Sequence, residues 1–339
     1  MDKRGIAVAG NIILDVLKPL SSFPVRHELV KVLEKTFSLG GAVSNVARDL
    51  ARLDPSLPVK AVGAIGVDGE GDLIAKELSA YQNIDLSFVK REGQTSFTDV
   101  LYEPETKART FLVFGGVGDT FDVDDVPLTK LDCRILHAGY ILLLPALDAP
   151  DPEYGTRMAR LLHDAQAAGI LTSADVVSEV GERYKSIVTP ALRYTDYFIV
   201  NEIEAGKTVG VPLRSANEEL LIDRVPEVLL KLKALGVRRW AVIHAPEGGF
   251  GIDEKGEYFE APSLLLPPGF IAGTVGAGDA FCAGVLLAAH NGESLLTGIE
   301  DGIATAACSL RSAGASEGVM TLEEARALAR SLPRRTLRG

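Results

Sequence analysis

Short apolar runs alternate along the chain with stretches whose apolar residues recur every three to four positions. The runs are Ile6–Ala9, Val59–Ile65, Ile135–Ala138, Ile170–Ala174, Tyr197–Val200 and Trp240–His244. They are too short for helices, and they read as buried strands. Between them lie helical patterns. Ala42–Leu53 places Val43, Val46, Ala47 and Leu50 on one face, and similar stretches cover Tyr154–Ala168, Ala216–Leu235, Ala280–His290, Leu295–Ser312 and Leu322–Leu332. Strands alternating with helices predict an α/β fold whose central sheet is mostly parallel and covered on both faces.

Two segments depart from this rhythm. Pro19–Ser38 and Thr95–Phe114 alternate like exposed strands, the second as a hairpin turning through Glu103–Lys107. They are expected to form a small β-lid on a single domain spanning residues 1–339. The basic tail after Pro333 is expected to fray.

Composition narrows the function. The 339 residues are 47% hydrophobic, ample for a core, and 46 acidic against 35 basic residues give a net charge of −11, which argues against a nucleic-acid partner. The three cysteines, Cys133, Cys282 and Cys308, are dispersed and form no zinc-ligand spacing. They fit a reducing cytoplasm. No signal peptide is expected ahead of Ile6, and no apolar run is long enough to cross a membrane.

The most informative segment is Gly273-Thr-Val-Gly-Ala-Gly-Asp279-Ala-Phe281. Gly276, Ala277 and Gly278 lead into an apolar helix, whose free first-turn amides and dipole can cradle a phosphate. For Asp279 the spacing leaves two roles open. It can cap the helix, or it can accept a hydroxyl proton while the amides stabilise charge on a transferring phosphoryl group. Thr274–Phe281 resembles the C-terminal signature of the ribokinase-like, or PfkB, carbohydrate kinases. The resemblance implies a three-layer sandwich with a β-lid, Asp279 as catalytic base, and Gly276, Ala277 and Gly278 as the anion hole. No P-loop sequence is present.

Gly40-Gly-Ala-Val-Ser-Asn45 resembles the family's N-terminal signature. Two glycines allow close backbone approach, and the Asn45 amide offers a donor and an acceptor to hydroxyls. By the same resemblance Asp15 holds two sugar hydroxyls, with Asn11, Gly40, Gly41 and Asn45 around the substrate and Asp148 as a further acidic contact. Arg109 and Lys107, on the lid, leave a phosphorylated substrate open.

Asn201-Glu-Ile-Glu204 matches the family's Asn-x-x-Glu element, with Asn201 facing phosphate and Glu204 ordering magnesium through water. The implied cofactors are therefore ATP and Mg2+. His244 to Gly249 occupies the place of the family's nucleotide loop, with Thr274 nearby, and the adenine is expected around Ile303–Ser309. Two departures stand out. His244 and Pro246 replace a hydroxyl and a glycine, and Pro246 has no N–H to give a phosphate. Gly273 replaces an aspartate that helps bind a monovalent cation in many members, so weak or altered potassium dependence is expected.

The reading is an ATP-dependent kinase acting on a primary hydroxyl of a sugar, in a homodimer joined through the lid. The alternatives are a nucleoside kinase of the same fold and a non-catalytic sugar sensor. Gly63-Ala-Ile-Gly66-Val-Asp68-Gly69 is not GxGxxG and fits the family's turn better than a dinucleotide site. The acidic run Asp119–Asp125 lacks calcium-loop spacing.

Overall fold

The computed structural model describes residues 4–105 and 109–338. Its first half contains strands β1 (Ile6–Gly10), β2 (Ile13–Pro19) and β3 (Thr36–Gly40), helix α1 (Ala42–Leu53), β4 (Val59–Ile65), α2 (Gly69–Ser79), β5 (Ile84–Arg91), β6 (Phe97–Tyr102), β7 (Arg109–Phe114) and β8 (Ile135–Ile141). The one-turn helix α3 (Pro145–Asp148) and a two-residue pair, β9 (Pro150–Asp151) and β10 (Gly155–Thr156), follow. The second half contains α4 (Arg157–Ala167), β11 (Leu171–Val176), α5 (Tyr184–Leu192), β12 (Tyr197–Asn201), α6 (Glu202–Val209), α7 (Val225–Leu235), β13 (Trp240–Ala245), β14 (Gly248–Ile252) and β15 (Tyr258–Pro262). Helices α8 (Ala277–Asn291), α9 (Leu295–Ser309) and α10 (Leu322–Ser331) complete the chain.

The main sheet runs β15-β14-β13-β12-β11-β8-β1-β4-β5, parallel from β13 to β5, with an antiparallel hairpin at the other edge. The period-two geometry of a strand sends alternate side chains to opposite faces. In β1, Ile6 and Val8 join one buried cluster with residues of α1, α2, α8 and α9. Ala7 and Ala9 join the other, with α4, α5, α6 and α7. Both faces are therefore dry, as a parallel sheet requires. Each fully buried Leu or Ile in these layers contributes about 1.5–3 kcal/mol of transfer free energy.

A second sheet, β3-β2-β6-β7, stands off the first. Most of Pro19–Ser38 is irregular: the strands that build this sheet from the N-terminal side are Ile13–Pro19 and Thr36–Gly40. The excursion therefore begins six residues earlier than the alternation alone indicates, because half-buried Asp15 and Leu17 share β2 with buried Leu14 and Val16. Lys107 and part of the expected turn lie outside the described residues. Helix α7 starts at Val225, not Ala216: Glu218 takes a positive φ of 61°, and Pro226 fits a first helical turn but not a helix interior. The described part of the tail, residues 334–338, is docked by backbone bonds just beyond β15, with Leu264 and Arg334 bridged.

Candidate active site

Parallel strands all end on the same side of a sheet, and helices start there. The sequence-predicted residues gather at that edge: Asn11 just beyond β1, Asn45 in the second turn of α1, Asn201 at the end of β12, His244 in β13, and Asp279 in the first turn of α8.

Gly276 is the N-cap of α8 at φ 76°, and no side chain caps the helix. A Cβ there would lie 2.4 Å from the carbonyl oxygen of Ala315, so only glycine fits. Asp279 is consequently free of the capping role and points elsewhere. Its Oδ2 accepts a 3.0 Å hydrogen bond from Asn45 Nδ2, and its Oδ1 a 2.6 Å bond from the Tyr140 hydroxyl. Burial pushes this carboxyl up to about 6, while the Tyr140 and Asn45 bonds pull it back down.

Asn45 thus spends its donor on Asp279, and its Oδ1 accepts from Arg48, 3.3 Å away. Arg48 is buried and also donates to Leu39 O in β3, which ties α1 to the outer sheet. Asn11 is buried; its Oδ1 caps the start of α1 by accepting from Ala42 N–H, while its Nδ2 has no partner among the described residues. Gly41, at φ 85°, brings the backbone against Asn11, where a Cβ would meet the Asn11 carbonyl oxygen at 2.6 Å. Gly40 does the same beside Asp15 Oδ2, at 2.5 Å. Burial raises the Asp15 carboxyl to about 6, against a hydrogen bond from Thr98 across the β2–β6 ladder.

Asp148, expected as a substrate contact, accepts from the backbone of Leu142 and Leu144 at 3.1 and 3.4 Å, closing the turn after β8. Gly249, expected in the nucleotide loop, is buried in β14, where a Cβ would strike Ile299 at 2.6 Å and Phe281 at 3.1 Å, so the position allows α8 and α9 to pack closely. Arg109 is exposed at the start of β7.

Asn201 and Glu204 form a capping box on α6: Asn201 Oδ1 accepts from Glu204 N–H at 2.8 Å, and Glu204 Oε2 accepts from Asn201 N–H at 2.9 Å. Ser178 donates to Glu204 Oε1 at 2.7 Å. Burial lifts Glu204 to about 7. Asp175, at the end of β11, is held well above the carboxylate range by burial and then by the charges of Glu204 and Asp279.

A cavity of 450 Å³ runs from Asn201, Thr274 and Gly278 to an apolar end at Leu264, Leu266, Ile303 and Ala307. One wall is His244, whose ring lies tilted against Phe281 with centroids 5.0 Å apart, and which burial lowers to about 4. Sequence reasoning missed Tyr140 and Asp175. Each ends a strand whose local pattern reads as core, and their role is visible only once β8, β11 and α8 are side by side.

The same architecture is found in solved structures. An Arabidopsis thaliana ribokinase complexed with ribose and ATP superposes with a TM-score of 0.79 at 18% identity, covering 96% of this chain and 99% of that one. A Methanocaldococcus jannaschii nucleoside kinase gives 0.72 at 17%, covering 98% and 99%. The fold is ribokinase-like, an α/β sandwich with a mostly parallel sheet between helical layers. Residues 3–322 match the model of the pfkB family of carbohydrate kinases, and the chain belongs to that family. In sequence it is similar to the Arabidopsis thaliana ribokinase, 23% identical over 297 residues that make up 85% of this chain and 71% of that protein. Among the described residues no helix is long and apolar enough to cross a membrane.

Proposed function

We propose that this chain transfers the γ-phosphoryl group of ATP to a primary hydroxyl of a sugar, with Asp279 as the base. The observation that carries this reading is the setting of Asp279: a buried carboxylate between two donors, in the first turn of a helix whose Ala277 and Gly278 line the cavity. Three supports accompany it. Asn11 presents an unpartnered buried Nδ2, which a substrate hydroxyl would satisfy. Asp15 offers a half-buried carboxylate beside Gly40, able to accept two hydroxyl bonds. The apolar end of the cavity suits a nucleobase, and its amide end suits phosphates.

In this mechanism Asn11, Asp15 and the backbone at Gly40 and Gly41 hold the sugar. Asp279 takes the hydroxyl proton as the oxygen attacks the γ-phosphorus. The bond from that phosphorus to the β-phosphate oxygen breaks, and ADP leaves. Amides of Gly276, Ala277 and Gly278 face the negative charge on the transferring group. Glu204 and Asp175 would hold magnesium, Glu204 through water, and the ion would neutralise phosphate charge there. Asn201 faces the same phosphates through the cavity wall.

The outer sheet is read as a lid that excludes water from the reaction. All six residues of its edge strand β7 are exposed, including Phe111 at 58% and Val113 at 63%. This apolar edge supports a homodimer joined through the two lids.

ADP release with Mg2+ and ATP, measured across a panel of pentoses, hexoses and nucleosides, tests the reading. Turnover on one or more sugars is expected. Nucleoside turnover alone would favour a nucleoside kinase, and sugar binding without turnover would favour a sensor.

A further inference from the structure

The C-terminal tail is firmly bound, but one of its arginines has nothing to hold. Leu265 N–H donates to Pro333 O at 2.7 Å, and Arg335 N–H donates to Ser263 O at 2.8 Å. Arg334 reaches Pro262 O at 2.9 Å and Glu300 at 3.5 Å, and Arg338 pairs with Glu260. The Arg335 side chain has no partner among the described residues, and it lies on the wall of the 450 Å³ cavity. The other charged group on that wall, Glu202, pairs at 2.6 Å with Arg214, which also holds Glu247 of the β13–β14 turn at 2.6 Å. Among the described residues Arg335 is the one Arg or Lys on the wall.

The backbone that carries that guanidinium is tied through Ser263 to the β13–β14 turn. Ser263, which accepts from the Arg335 amide, donates its own N–H to Glu247 O at 2.9 Å and its hydroxyl to Pro246 O at 2.7 Å. The turn itself has little for an anion. Pro246 lacks an N–H, His244 is neutral and packed on Phe281, and Gly249 is buried under the helices. We infer that Arg335 is a nucleotide-binding residue: the tail carries it to the cavity, where it contacts a nucleotide phosphate that the turn cannot. The inference rests on the cavity being the nucleotide site. A guanidinium suits the task because its planar fork matches phosphate oxygens and its charge does not titrate.

Calorimetric binding of ADP and adenosine to the full-length protein, wild type, Arg335→Gln and Arg335→Lys, tests it. Wild type is expected to bind ADP. Arg335→Gln should weaken ADP by roughly tenfold and leave adenosine unchanged, a charged hydrogen bond at a partly exposed site being worth about that much. Arg335→Lys should recover part of the loss, and the gap should narrow as salt rises. The melting temperature without ligand should not move, since no protein group holds this side chain. Equal weakening of ADP and adenosine would make Arg335 a base or packing contact and overturn the assignment, as would no change in either. Failure of the wild type to bind ADP would instead remove the nucleotide site itself.

Discussion

Asp279 shows how a single residue can be half legible. The sequence places it in the first turn of a helix, where a carboxylate can cap or catalyse, and spacing does not choose between them. The structure chooses against capping, because Gly276 occupies that position and Asp279 turns to Asn45 and Tyr140. Tyr140 was hidden, since a tyrosine in an apolar run after a strand looks like core. Its consequence is measurable. Asp279 must be ionised to accept a proton, so kcat/KM should fall as pH drops through about 6, the level to which burial lifts this carboxyl. The Tyr140 hydrogen bond lowers the Asp279 pKa, so Tyr140→Phe should move that acidic limb to higher pH. A limb that stays in place or moves down would show that the pair does not set the titration.

At the scale of elements, strong periodicity was reliable. Val59–Ile65 and Ala42–Leu53 are β4 and α1 to the residue. What the pattern missed is chemically different. Helix α2 opens on Gly69-Glu-Gly-Asp72 and buries only Gly71, Ile74 and Leu78, so its apolar face is narrow. Strand β5 lies at the sheet edge and is mostly half-exposed, which removes the unbroken apolar run that marked its neighbours. The loop ahead of α8 carries the chain's own signature. A Cβ on Gly273 would lie 2.8 Å from Ser312 O and 2.9 Å from Ala313 Cα, so the backbone of 312–313 occupies the space an aspartate would enter. Initial rates in potassium and in sodium at matched ionic strength should therefore differ by less than about twofold, the local charge of a specific cation being absent from the balance. Strong activation by potassium would contradict this.

At the scale of the molecule, the alternation of strands and helices carried most of the information. Right-handed crossovers between parallel strands leave few ways to arrange such a chain, and all of them place the strand ends and helix starts on one edge. That is why Asn11, Asn45, Asn201, His244 and Asp279, spread over most of the sequence, come to one place. The docking of the tail was not legible, because it depends on unpaired backbone at the end of β15 and not on local pattern. Association is expected at this scale too. Sedimentation equilibrium should give twice the 36.1 kDa chain mass if the exposed edge at β7 is covered by a second lid, and a single-chain mass at micromolar concentration would argue against it.

The central claim is that Asp279 is the base. Asp279→Asn keeps the size of the side chain and leaves the Gly276 cap untouched, but it cannot take a proton. Turnover measured as ADP release on the best sugar of the panel should fall by roughly 10²–10⁴-fold, with ADP affinity retained. Near-normal turnover by that variant would contradict the account.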